Sequence, residues 1–147
     1  PNEVLAEKIH SCGYYNLKAK RLKNLLTLIV EQFDGQLDDF FAEDRYSLRE
    51  RLLAVKGVGP ETADSILLYA AQKPVFVVDA YTHRIFSRHG YFTEEWADYH
   101  EIQEFFTDSL PEDVAIYNEY HALIVRCGKE FCKKSKPRCK LCPLDGV

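Results

Sequence analysis

Apolar side chains recur along much of this chain at intervals of three and four residues, the spacing that gathers them on one face of an α-helix. Residues 5–10 and 19–33 read as helices, the second with Leu22, Leu25, Leu26, Ile29 and Val30 on one face. Asp34-Gly35 ends it. Residues 46–55 and 61–71 form a second helical pair, followed by helices at 80–89, 101–109 and 114–127, with Pro111 opening the last region. The segment 75–78 is rich in β-branched residues, but it is short, follows Pro74 and has no second strand to pair with. It is expected to be an extended, buried lead into the helix at 80. The expected fold class is all-α, without repeats, low-complexity stretches or linkers.

The boundary between the second helical pair is the most informative place in the chain. In Leu52-Leu53-Ala54-Val55-Lys56-Gly57-Val58-Gly59-Pro60-Glu61-Thr62-Ala63 an apolar helical run stops at a Gly-x-Gly, and a new helix starts at once with Pro60. Proline suits a first helical position because its missing N–H would have had no partner there. Two glycines in three residues admit backbone conformations that a β-carbon forbids and let another backbone come close. The N–H groups of such a turn, backed by a helix start, attract an anion such as a phosphate. Taken alone, the pattern also fits a plain tight turn between packed helices.

Asp79 follows in Lys73-Pro74-Val75-Phe76-Val77-Val78-Asp79-Ala80-Tyr81-Thr82-His83-Arg84, and cysteines gather near the C-terminus. In this order the hairpin, the Pro74–Asp79 segment and the cysteine group resemble the helix-hairpin-helix, Gly/Pro-loop, aspartate superfamily of DNA glycosylases. The nearest resemblance is to the endonuclease III branch, in its endonuclease III-related and 3-methyladenine-glycosylase members. The resemblance implies two helical lobes with a DNA-binding cleft between them: residues 1–73 as part of the helical-barrel lobe, and 74–147 as the second lobe. It also implies that helices preceding Pro1 in family members are missing here, with much of the base pocket. The implied activity is base-excision repair. A damaged base, of which an alkylated purine is one candidate, is flipped from double-stranded DNA and its N-glycosidic bond hydrolysed by a monomeric enzyme. A non-catalytic helix-hairpin-helix DNA-binding module and a bifunctional glycosylase/AP lyase are the alternatives.

The resemblance assigns roles residue by residue. Asp79 matches the family's catalytic aspartate, whose carboxylate would stabilise the oxocarbenium-like sugar and orient or deprotonate water. Its sequence context suits a helix N-cap equally well, and one residue can do both. Lys56, Gly57, Val58, Gly59, Glu61 and Thr62 fall at the DNA-facing hairpin. Glu61 stands where strand-cutting relatives have the lysine that attacks C1′ and forms a Schiff base; a carboxylate cannot form that imine, so a monofunctional enzyme is implied. As a first-turn acid, Glu61 is also explained by the helix dipole alone. Lys18 and Lys20 lie in Tyr14-Tyr15-Asn16-Leu17-Lys18-Ala19-Lys20, either on the groove or with aromatics in the core.

Cys132, Cys139 and Cys142 match the first three positions of the family's C-x6-C-x2-C-x5-C pattern for a [4Fe–4S] cluster, with Lys136-Pro137-Arg138-Cys139 leading into the second. The fourth would follow Val147, so the cluster is expected to be absent or incomplete in this chain. Cys127 is a possible substitute whose spacing does not match, and zinc held by the four cysteines is the rival reading. Cys12 reads as a small buried residue at a turn. His83, His89 and His121 show no partner spacing for a metal or a triad and are given structural roles.

The remaining composition adjusts this picture little. Apolar content is 46% and the net charge is −4, which argues weakly against nucleic acid. Distribution matters more than the sum. Lys18, Lys20, Arg21 and Lys23 cluster in one segment, and Lys129, Lys133, Lys134, Lys136, Arg138 and Lys140 in another, while acids gather around 38–44 and 93–104. Two basic segments flanking a phosphate-type hairpin suit a DNA-facing surface. With no membrane-length apolar run, the protein is expected to be cytoplasmic and nucleoid-associated.

Overall fold

The structure, a computed structural model, describes residues 1–93 and 98–146. Its helices are α1 (Asn2–Lys8), α2 (Tyr15–Phe33), α3 (Leu37–Ala42), α4 (Arg45–Ala54), α5 (Pro60–Ser65), α6 (Ala80–Arg88), α7 (Tyr99–Ser109) and α8 (Val114–Glu130). Short 3-10 turns lie at His10–Cys12 and Cys139–Leu141, and a π-helical stretch, Ile66–Ala70, continues α5. The fold is all-helical, with no strand among the described residues. None of these helices is long and apolar enough to cross a membrane. The chain divides into two compact units, Pro1–Ala71 and Gln72–Val147. Of the acidic stretch 93–104, residues 94–97 lie outside the described residues.

In the first unit, α1 and α3 pack against α2. Asp34 and Gly35, both with positive φ (50° and 77°), end α2 where the sequence places its break. The helix begins earlier than periodicity suggests, at Tyr15, after Tyr14 in the left-handed region. Its predicted apolar face is only partly covered: Ile29 is buried, whereas Leu26 is 45% and Val30 61% exposed. Cys12 is exposed rather than buried, because it ends the 3-10 turn just before Gly13. Helix α3 escaped the periodicity reading because six residues are too few to repeat a pattern. Asp44 starts α4 by accepting the N–H groups of Tyr46 and Ser47. Leu48 and Leu52 of α4, Ala63 of α5, and Leu67 and Leu68 are fully buried and form the core behind the hairpin.

In the second unit, residues 75–78 belong to neither helix nor strand, and Phe76, Val77 and Val78 are buried, as their sequence predicts. The Phe76 ring stacks on Phe106 of α7 with centroids 4.2 Å apart and meets Tyr117 of α8 edge-on at 5.5 Å. Burying one such ring is worth about 1.5–3 kcal/mol. Buried backbone needs hydrogen-bond partners, and here α7 supplies them. Gln103 Nε2 donates to the Phe76 carbonyl at 2.6 Å, and the Val78 N–H donates to Tyr99 Oη at 3.4 Å. Side chains thus replace a neighbouring strand, which explains a β-rich sequence without a sheet.

Helices α6 and α8 pack closely, and their contacts run in the same order along both, so they lie parallel. Asp79 meets His121, Tyr81 meets Gly128, and Arg84 donates to the carbonyls of Gly128 (3.3 Å) and Cys132 (2.7 Å). A β-carbon on Gly128 would come within 2.3 Å of Tyr81 Cδ1, so only glycine permits this approach.

Candidate active site

Asp79 closes the buried segment 75–78 and opens α6 as its N-cap. Its Oδ1 accepts the N–H groups of Tyr81 (2.9 Å) and Thr82 (2.8 Å) and the Thr82 hydroxyl (3.0 Å). The Thr82 Oγ1 lies 3.4 Å from the Asp79 N–H, completing a reciprocal capping box. Oδ2 faces His121 Nε2 at 3.5 Å. Both side chains are about one-tenth exposed. Burial pushes the Asp79 carboxyl up, but His121 facing Oδ2 at 3.5 Å and the Thr82 hydrogen bonds on Oδ1 outweigh it, and the net shift is below the ordinary 3.8. A fixed anion held ionised in a half-dry setting suits stabilisation of positive charge.

The hairpin lies in the first unit. Gly57 has φ +97°, and a β-carbon there would sit 2.6 Å from Arg21 Cγ of α2. Asn24 of the same helix donates to the Lys56 carbonyl at 2.8 Å, so α2 braces the turn. Gly59 differs from the sequence expectation: its φ is −103° and a β-carbon there would meet nothing within 4 Å, so no backbone constraint demands glycine. It is the N-cap of α5 and offers no side-chain cap. The open space in front of it is where an external group could approach. Lys56, Glu61 and Thr62 are exposed, and Val58 is half-buried with its N–H on the Val55 carbonyl at 3.0 Å. Lys20 is exposed, whereas Lys18 Nζ donates to the Cys12 carbonyl at 2.5 Å.

Arg49 of α4 clamps Asp64 of α5 by two hydrogen bonds, Nε–Oδ1 at 2.6 Å and Nη2–Oδ2 at 3.1 Å, with the Asp64 side chain fully buried. This pair joins the two hairpin helices. It has no local signature in the sequence, since its members lie on opposite sides of the turn. His121 was equally hidden: seen along the chain it has no partner, and only the packing of α8 on α6 brings it to Asp79.

The cysteines converge further than their spacing suggests. Cys127, Cys132, Cys139 and Cys142 all line one cavity of about 170 Å³, and the sulfurs of Cys127 and Cys142 are 3.7 Å apart. Arg88 Nη1 lies 3.0 Å from Cys132 Sγ. Yet among the described residues no group of three or more His, Cys, Asp or Glu side chains is arranged to hold a metal ion. Burial first, then the Cys142 contact, pushes the Cys127 thiol up to about 11. The four sulfurs share a cavity without forming a coordination shell as they stand, and Cys127 is the one that joins the three cysteines of family-type spacing there.

A braced, glycine-turned helical hairpin in one unit and a buried aspartate opening a helix in the other define a helix-hairpin-helix protein with an acid-capped helix. The chain belongs to the HhH-GPD superfamily of base excision DNA repair proteins, whose family model matches residues 1–112. It is 53% identical over 144 residues to the Methanocaldococcus jannaschii protein named "Putative DNA repair glycosylase MJ1434", covering 97% of this chain and 64% of that one. It is 31% identical to endonuclease III of Thermotoga maritima, covering 95% of this chain and 60% of the relative. Among solved structures, endonuclease III trapped in a covalent intermediate with DNA matches with a TM-score of 0.77 at 26% identity, covering 98% of this chain and 62% of that one. The H. pylori 3-methyladenine DNA glycosylase bound to 1,N6-ethenoadenine matches with a TM-score of 0.76 at 34% identity, covering 88% and 64%. The chain thus spans between 60% and 64% of the length of these relatives.

Proposed function

We propose that this protein is a monofunctional DNA glycosylase that removes a damaged base, an alkylated purine in first place, from double-stranded DNA. The observation that carries the reading is the Asp79 carboxylate, about one-tenth exposed yet shifted toward its ionised form. As the C1′–N bond breaks, its electron pair leaves with the base and positive charge grows on the sugar. A carboxylate already desolvated and oriented stabilises that charge without reorganising. Water then adds to C1′ and loses its proton to Asp79 or to solvent. Lys56, Gly57, Val58, Gly59, Glu61 and Thr62 would meet the DNA backbone, with Lys18 and Lys20 on the same unit. The target base must leave the stack for chemistry at C1′ to proceed.

Support for an alkylated purine is the likeness to the 3-methyladenine glycosylase at 34% identity. The relatives named endonuclease III favour a lyase instead; Glu61, a carboxylate that cannot form an imine, favours hydrolysis alone. Single-turnover base release from duplexes carrying 3-methyladenine, 1,N6-ethenoadenine, an oxidised pyrimidine or a mismatched base tests the proposal. Release of the alkylated purines with an intact abasic strand is expected. Duplex binding without release of any base would leave a DNA-binding module.

The cysteine cavity takes no part in these steps. A [4Fe–4S] cluster, the family-type assignment, would need Cys132, Cys139, Cys142 and a further thiolate, and zinc would need all four cysteines here. Metal analysis of anaerobically purified chain is expected to show neither in stoichiometric amount. Four irons with four sulfides per chain, or one zinc, would show that the cysteines rearrange around a metal.

A further inference from the structure

The two oxygens of Asp79 have different duties. Oδ1 is consumed by the cap, with three donors between 2.8 and 3.0 Å. Oδ2 takes no part in the cap, and it is the oxygen that can meet a substrate without unravelling the start of α6. Its neighbour is His121 Nε2 at 3.5 Å, on a side chain from α8 that is itself buried at 9% exposure. Residues 121 and 128 lie seven apart and so share one helix face. Gly128 fixes that face against Tyr81, two residues beyond Asp79. The position of His121 relative to the carboxylate is therefore set by helix packing and not by a mobile loop.

We propose that His121 is a positioning residue for Asp79, its Nε2 fixing the direction of Oδ2 and favouring the charged carboxylate. This rests on the reading of Asp79 as the reactive group. The remaining neighbours do not supply the same contact. Tyr81 and Thr82, on α6 itself, give their N–H groups to Oδ1, and Tyr99 of α7 takes the N–H of Val78. Among the described residues, the ring at 121 is a titratable group that meets Oδ2 from a facing helix. Burial works against the anion at this place, and His121, facing Oδ2 at 3.5 Å, heads the contributions that overturn it. A simple core histidine would fill space without affecting that balance.

The test compares His121→Leu, which fills the space without a donor, with His121→Gln, which retains a neutral N–H donor. Asp79 is followed in each by its side-chain carboxyl carbon signal as pH is lowered, a measurement that needs no DNA. His121→Leu should move the Asp79 midpoint upward, and His121→Gln should bring it part of the way back. Single-turnover release of 1,N6-ethenoadenine and 3-methyladenine should fall about tenfold to a hundredfold in His121→Leu, the range for partners that orient a functional ligand. The acid limb of its pH–rate profile should shift upward with the midpoint, and duplex affinity should stay unchanged. An Asp79 midpoint in His121→Leu no higher than in the wild type overturns the proposal, as does equal impairment of both variants without a shift. Should His121→Leu fail to fold, His121→Gln against wild type decides by the same midpoint. Full activity in Asp79→Asn would instead remove the catalytic reading, while the midpoint would still report on the His121 contact.

Discussion

Asp79 is both a helix cap and the proposed reactive carboxylate, and two substitutions separate these roles. Asparagine keeps an acceptor oxygen for the Tyr81 and Thr82 N–H groups, whereas alanine removes it. Asn and Asp are near-equal caps, and loss of a cap to Ala costs about 0.5–2 kcal/mol. Asp79→Asn should therefore melt close to the wild type and Asp79→Ala a few degrees lower, in line with roughly 2–8 °C per kcal/mol. For catalysis the ranking differs. A carboxylate about 4 Å from a full positive charge contributes about 4 kcal/mol at an effective dielectric near 20. Losing it slows the chemical step by about three powers of ten. Single-turnover base release, melting temperature and duplex affinity measured on both variants make the comparison. Asp79→Asn should be slow while folded and DNA-bound, and Asp79→Ala slow and less stable. Acid adds a check: because burial is outweighed by His121 and Thr82, the folded carboxyl titrates below its ordinary 3.8. Its stabilisation is fully present above that value and disappears as pH falls through the lower, folded one. The wild type's stability margin over Asp79→Asn should narrow only in that acid window. Asp79→Asn releasing base at the wild-type rate would refute the reasoning and leave Asp79 a cap alone.

Arg49→Ala removes both hydrogen bonds that the guanidinium gives the buried Asp64 carboxylate, and urea unfolding should show a loss of about 3–5 kcal/mol; a loss below about 1 kcal/mol would mean the pair does not hold the hairpin. Gly57→Ala faces both φ +97° and the Arg21 side chain, whereas Gly59→Ala meets open space, so thermal melts should show the first destabilised and the second near wild type. Both glycine variants should weaken duplex binding in a fluorescence titration, Gly59→Ala doing so without unfolding, and unaltered affinity there would count against the hairpin as the DNA contact. Borohydride should trap no adduct between the protein and DNA, since Glu61 has no amine, and an adduct that persists with the N-terminal amine blocked would overturn the hydrolytic mechanism.

The sequence showed helices wherever an apolar face repeats over two turns or more, and it missed α3, which has six residues and no room for a repeat. It placed the breaks well because Asp34-Gly35 and the turn at Gly57 use positive φ, a demand that glycine and short polar residues advertise. It overstated Gly59, since a Gly-x-Gly does not say which glycine the backbone needs. Segment 75–78 was legible as a buried, non-helical lead into α6 because Pro74 and the β-branched run limit it locally, but its partners Gln103 and Tyr99 were not. The same limit hid Arg49 with Asp64 and His121 with Asp79. Each pair joins residues from different helices, and neither spacing nor composition records which faces meet. Cys127 joined the other three cysteines for the same reason, through the packing of α8 against the tail rather than through spacing.

The Asp79 site also allows one residue to serve stability and the proposed chemistry together. A carboxylate has two oxygens, and a capping box needs only one of them. The three donors on Oδ1 lock the side chain by short, local contacts that follow from the sequence of α6 itself. With Oδ1 held in this way, the direction of Oδ2 is left to the facing helix. These local donors favour the charged form of the whole carboxylate, but none of them faces Oδ2. That side is met from elsewhere in the fold, by His121 of α8 at 3.5 Å. The close approach needed for this depends on Gly128, whose missing side chain admits Tyr81. Enlarging residue 128 should therefore disturb Asp79 without touching it, by tilting α6 away from α8 and lengthening the contact to His121.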